Sequence, residues 1–197
     1  MVELNSSWKR NFDVYDRIRR LGIDLGQKED SLPPPGAQNL AQATFTPSGL
    51  VFLSGTTAGM GAVTDDDAEV EKGAAAAREA GIAHIRVLHW GLHPLGTLND
   101  VWYCVKGLGM VNSAGGGVLT LSHLVVNGYS KVFHDVFGGP LSQFAEDGRD
   151  QSLSGWHARS AVGGFDLPAG VRAEPEMIVQ IDPELALRII RENGPHA

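Results

Sequence analysis

Cysteine is almost missing from this 197-residue chain, with Cys104 standing alone. No disulfide can close within it, and there is no cysteine cluster to hold structural zinc or an iron–sulfur centre. Positive charge is also scarce: 16 Lys and Arg stand against 23 Asp and Glu, a net charge of -7. No basic run tracks a phosphate backbone, so a nucleic-acid partner is disfavoured. Long apolar runs are missing too. No window approaches ~18 uninterrupted apolar residues, and the first twenty residues are charged throughout where a secretory signal would be apolar. The expectation is a soluble, cytoplasmic protein in a reducing compartment, with no membrane partner. Trp8, Trp90, Trp102 and Trp156 are scattered without basic interleaving, which suits core or interface packing better than base stacking. What is plentiful is glycine, 25 residues, implying tight turns and close backbone approaches. A hydrophobic content of 43% supplies a core for one domain with an appendage.

Trp8, Phe12, Tyr15, Ile18 and Leu21 recur at steps of three and four, predicting an amphipathic helix over 8–22. Gly26–Gly36, with Pro33-Pro34-Pro35, reads as an extended linker. Two β-rich runs around Thr46-Pro47-Ser48-Gly49 predict a hairpin, followed by a Gly/Thr loop over 55–64. Asp65, Asp66 and Asp67 offer caps for a long Ala-rich helix that stops before Pro94. A strand is expected over Asn99–Val111, a helix over Val118–Phe137 and a polar, Gly-rich loop over 138–156. Strands Ala158–Phe165 and Val171–Ile181 follow, joined by a turn at 166–170, then a helix over Pro183–Glu192. The order is β-β-α-β-α-β-β with a helix added at each end. It divides into an N-terminal helix and Pro-rich linker (1–36), a main α+β domain (37–182) and a C-terminal helix and tail (183–197).

Most chemical motifs fail on spacing. Gly107-Leu108-Gly109 and Gly115-Gly116-Gly117 match no phosphate-binding pattern and read as plain loops. His89 and His93 lie four apart on a helix but enclose no carboxylate, so no metal is called. Ser54 follows Phe52 where a nucleophile elbow needs glycine. Cys104, between Tyr103 and Val105 in a strand, reads as a small buried hydrophobe. Arg159 differs: in His157-Ala-Arg-Ser-Ala-Val-Gly163 a guanidinium enters a strand of small and apolar residues, where an unpaired charge is costly. Composition alone favours an ion pair with Glu174 or Glu176 across the closing hairpin. The functional alternative is a fork for a substrate carboxylate.

Several stretches together resemble the RidA/YjgF family of reactive-intermediate deaminases, also labelled endoribonuclease L-PSP. They are Leu50-Val-Phe-Leu-Ser-Gly55, Asn99–Lys106 running on to Val111-Asn112, Val126-Asn-Gly-Tyr-Ser-Lys-Val-Phe133, and above all His157–Gly163 followed by Leu167-Pro168 and Val171-Arg-Ala-Glu-Pro-Glu-Met-Ile178. The resemblance spans about residues 38–181 and implies a chorismate-mutase-like fold with helices on one face of a mixed sheet. It further implies a homotrimer with intersubunit clefts that hydrolyses enamines or imines to 2-oxo acids and ammonia, with no cofactor and no metal. Arg159 then stands where the family's carboxylate-binding arginine stands, Glu174 where an acid holds the attacking water, and Asn127 on the cleft-lining helix. Ser54 and Gly55 form the loop floor, with backbone N–H groups near Gly55 and Ala161 available to anchor the ligand. A 2-oxo-acid-binding trimer without catalysis and a weak endoribonuclease are the alternatives. The chain departs from the family's pattern at Ala41, where many members carry an aromatic, and at Ala161, where a small thiol residue stands. Pro175, beside Glu174, requires an edge or an irregularity in its strand.

Overall fold

Pro47 and Gly49 break the first apolar stretch. In the computed structural model, which describes residues 10–31, 40–114, 119–145, 152–164 and 166–196, they join β1 (Ala43–Phe45) to β2 (Leu50–Leu53) as an antiparallel hairpin. Gly49 takes φ 84°, which suits a residue without Cβ, and its N–H donates to Thr46 O. The stretch expected to be loop contains β3 (Ala58–Met60), too short and Gly-interrupted to show a period of two. Asp66 caps α2 (Asp67–Leu92), its carboxylate accepting from Ala68 N at 3.0 Å and Glu69 N at 3.4 Å. Asp65 turns away from that helix. It accepts from Thr120 N and Leu121 N, each at 3.0 Å, at the start of α3 (Ser122–Phe137), after the β4 strand (Val101–Asn112). The helix thus begins four residues later than the periodicity suggests, and residues 115–118 lie outside the described residues.

β5 (Ala158–Gly164), β6 (Val171–Ile181) and α4 (Pro183–Asn193), the last capped by Asp182, complete the order. The strands form one sheet ordered β1-β2-β6-β4-β5, with β3 also pairing with β6. β5 and β6 are therefore not a hairpin. β4 lies between them, antiparallel to β6 and parallel to β5, with α3 as the crossover that a parallel pair needs. Gly107 and Gly109, read as plain loop although they fall inside the expected Asn99–Val111 strand, sit within β4 and allow close approach: a methyl on Gly109 would crowd a Val126 methyl of α3. Pro175 is tolerated in the central β6 because its outward side falls between the β2 and β3 pairings, where its carbonyl accepts from Thr56 N.

α2 and α3 cover one face of the sheet and touch each other closely enough that a methyl on Gly128 would meet Ala74 O at 2.0 Å. Their apolar stripes, with Val51, Val111, Met177 and Val179 of the sheet, make a core that also takes in Leu185 and Ile189 of α4. The N-terminal helix α1 is shorter than its stripe predicts, Val14–Arg20, capped by Asp13; residues 1–9, including Trp8, lie outside the described residues. Val14 and Ile18 enter the same core. The Tyr15 hydroxyl accepts from Leu98 N and lies 3.0 Å from His89 Nδ1, which engages one of the paired histidines structurally. Of the linker, residues 28–31 form a 3-10 turn and the prolines lie outside the described residues. The described ends of the 138–156 loop are packed: Ser152 and Ser154 are buried, and Ser154 O accepts from Cys104 N. Cys104 is itself buried, and burial raises its thiol pKa, as suits a packing residue. No helix among the described residues is long and apolar enough to cross a membrane.

Candidate active site

Strand alternation decides which side chains share a face. Arg159 stands in register with Gly107, and Gly107 with Met177, which is fully buried, so Arg159 lies on the helix-covered face. There its Nη1 donates to Asn127 Oδ1 at 2.8 Å and Ser130 Oγ at 3.2 Å, and its Nη2 to the His123 carbonyl at 3.3 Å. Three of five guanidinium N–H groups are thereby fixed on α3, all to uncharged acceptors. Among the described residues no carboxylate pairs with Arg159, so the expected ion pair with Glu174 or Glu176 does not form. Burial lowers the Arg159 pKa.

Ser130 is held from the other side by His157, whose part the motif alone does not reveal. His157 Nδ1 lies 2.7 Å from Gly155 O, which only accepts, so Nδ1 carries the proton and Nε2 accepts from Ser130 Oγ at 3.1 Å. Burial lowers the His157 pKa, with Arg159 and Lys106 adding to the effect, which favours the neutral ring. The donors run one way, from Arg159 to Ser130 to His157 to Gly155, and set the orientation of the guanidinium. Gly107 makes room, since a methyl there would come within 3.2 Å of the His157 ring.

Glu174 lies on the opposite face, in register with Met110 and, through it, Val162. Its carboxylate rests on Gly55, where a methyl would sit 2.6 Å from Oε1. Burial raises its pKa, and the neighbouring Glu176 adds to the shift. Among the described residues no hydrogen-bond donor meets this carboxylate. Ser54 stands beside it with its polar groups engaged: the hydroxyl donates to Ala41 O at 2.6 Å, the N–H to Gln42 O, and the carbonyl lies 2.9 Å from His84 Nε2. Ala161, two residues after Arg159, packs against the core from the Arg159 side of β5.

The chain therefore brings Arg159 together with Asn127, and Glu174 with Ser54 and Gly55, and separates the two groups by the thickness of the sheet. No element among the described residues covers the Glu174 face. It presents Phe52, 42% exposed, and Val162, 48% exposed, beside the partly buried Leu108, Met110 and Ile178. Among the described residues no group of three or more His, Cys, Asp or Glu is placed to hold a metal ion.

No protein-family model matches the sequence, and no curated protein matches it. Solved structures do. A protein of unknown function from Agrobacterium tumefaciens, Atu1372, is 26% identical with a TM-score of 0.62, over 86% of this chain and 92% of that one. A Shewanella oneidensis protein described as a "putative endoribonuclease" is 15% identical with a TM-score of 0.66, over 86% of this chain and all of that one. RidA from the Antarctic bacterium Psychrobacter sp. PAMC 21119 is 20% identical over 77% of this chain and 95% of that one, with a TM-score of 0.44. The fold is the chorismate-mutase-like fold of RidA/YjgF structures, at low sequence identity.

Proposed function

We propose that the chain is a divergent RidA/YjgF-family protein, a homotrimer that hydrolyses carboxylate-bearing imines or enamines to 2-oxo acids and ammonia without a cofactor. The observation that carries this reading is the Arg159 guanidinium, held by Asn127, Ser130 and the His123 carbonyl with no carboxylate partner among the described residues. Among the described residues its two other N–H groups meet no acceptor, and a planar pair of donors matches a carboxylate. Arg159 holds the substrate anion and orients the adjacent C=N carbon. Glu174, its pKa raised toward the working range of a general base, takes a proton from water as the oxygen adds to that carbon. The nitrogen gains a proton, C=O forms, and ammonia leaves: one water is consumed and one ammonia released.

Because Arg159 and Glu174 occupy opposite faces, each site draws Arg159, Asn127 and Ala161 from one copy and Glu174, Ser54 and Gly55 from its neighbour. The apolar side chains around Glu174 supply a surface for that contact, since a closed ring of identical copies needs two complementary patches.

The test uses imino acids generated in situ by an amino-acid oxidase. Ammonia and 2-oxo acid release should accelerate with wild type and not with Arg159→Ala. Co-refolding Arg159→Ala with Glu174→Ala should then restore activity. In a random mixture about one neighbouring pair in four places the intact Arg159 against the intact Glu174. No recovery refutes the shared site. Saturable 2-oxo acid binding without ammonia release replaces the enzyme with a ligand-binding trimer.

A further inference from the structure

We infer that His84 is a positioning residue: buried behind the cleft, it holds the Ser54 carbonyl and the Thr56 hydroxyl on either side of Gly55 and so fixes where the Glu174 carboxylate stands. The inference rests on the reading of Glu174 as the residue that activates water.

His84 is fully buried on α2 between Ala83 and Ile85, and a buried imidazole is costly unless its nitrogens find partners. Both do. Nε2 lies 2.9 Å from Ser54 O and 2.7 Å from Thr56 Oγ1, and Nδ1 lies 2.6 Å from the Tyr129 hydroxyl. Burial lowers the ring to about 4, so at neutral pH it carries one proton. A carbonyl only accepts, which places that proton on Nε2, donated to Ser54 O. Nδ1 then accepts from Tyr129, whose own pKa burial raises well above its usual value, so the hydroxyl keeps its proton. One tautomer satisfies both sides of the ring.

The residues so held are informative. Ser54 and Thr56 flank Gly55, on which the Glu174 carboxylate rests, and Thr56 N donates to the carbonyl of Pro175, the next residue after Glu174. Tyr129 lies on α3 between Asn127 and Ser130, the two side chains that orient Arg159. A single imidazole thus braces the loop under Glu174 against the helix that carries the Arg159 partners. His84 touches neither charged group, so its effect on chemistry passes through Gly55.

Two polar substitutions separate this role from simple core packing. In His84→Gln the side-chain amide nitrogen can reach the place of Nε2 and keep the donor to Ser54 O. In His84→Asn it reaches only the place of Nδ1. With the imino acid made in situ from leucine by an amino-acid oxidase, His84→Asn in the full chain should lower kcat at least about tenfold while KM stays within about twofold. His84→Gln should hold kcat within about threefold, and the Thr56 amide should exchange with solvent roughly tenfold faster in His84→Asn than in His84→Gln. If His84→Asn keeps wild-type kcat and Thr56 protection, the inference falls while the deaminase reading stands. Equal loss of kcat, KM and thermal stability in both variants also overturns it, leaving a packing histidine. A wild type with no turnover brings down the deaminase reading itself, and the inference with it.

Discussion

Gly55→Ala should separate activity from stability. Gly55 is not among the glycines with positive φ, so alanine can adopt its backbone conformation. The added methyl would lie 2.6 Å from Glu174 Oε1, 3.0 Å from its Cγ and 3.2 Å from its Cδ. Ordinary contact begins near 3.4 Å, so the carboxylate oxygen must retreat by about 0.8 Å, a displacement on the scale that costs an enzyme about 10²-fold when it falls on a positioned group. The fold has little reason to suffer. The obstacle is the tip of a flexible side chain on an uncovered face, and replacing glycine lowers the entropy of the unfolded chain by an amount worth about 0.4–1 kcal/mol. The net change in unfolding free energy should stay within about 1 kcal/mol, a shift of roughly 2–4 °C in Tm for a chain of this size. Imine hydrolysis and thermal unfolding on the same preparation decide the matter. Wild-type turnover with unchanged Tm would show that the position of Glu174 is not critical, and a large fall in Tm would make the Gly55–Glu174 contact structural.

The same crowding at backbone has the opposite signature: Gly128→Ala drives a methyl to 2.0 Å from Ala74 O and 2.7 Å from its carbonyl carbon. It should cost about 2–3 kcal/mol and lower Tm by roughly 5–10 °C, and a wild-type melting curve would contradict the close α2–α3 approach. Because burial and Glu176 raise the Glu174 pKa, the stabilising contribution of its protonated form is complete below the ordinary carboxylate value and lost as pH rises through the raised one. Glu174→Gln should therefore abolish turnover yet gain stability relative to wild type as pH rises toward neutral; a constant difference across that range in denaturant titrations would refute the assignment. His84 works in the other direction, held at about 4 against an ordinary 6.5. The stability tied to its neutral form is present above 6.5 and lost as pH falls to about 4, a difference of about 3 kcal/mol that His84→Gln should remove from the acid unfolding profile.

Features set by neighbours along the chain are legible in the residues alone. The Pro47–Gly49 turn, the Asp66 cap, the apolar stripes of α2 and α3, and Pro183 at the head of α4 each depend on residues within about one turn of one another. Asp65 misleads for the complementary reason: next to a helix start it resembles a cap, and only the fold brings the start of α3 to it. The strand order is hidden in the same way. Nothing in residues 166–170 records that β4 enters between β5 and β6, because that pairing is fixed by the α3 crossover and by burial of one sheet face. Gly107 and Gly109 carry part of the message, since glycine inside a β-rich run marks close approach, here of the His157 ring and Val126.

The same insertion of β4 bears directly on Arg159 and Glu174. Only a β5–β6 hairpin in a register that set the two opposite each other would have made the guanidinium a structural ion pair. With β4 between them and an odd offset along the strands, they point to opposite faces. A cation braced by uncharged acceptors and a carboxylate without a donor among the described residues are thus kept apart within one chain. In the shared site proposed above, a second copy brings their chemistry onto one ligand, and the apolar side chains around Glu174 are the surface that proposal assigns to it.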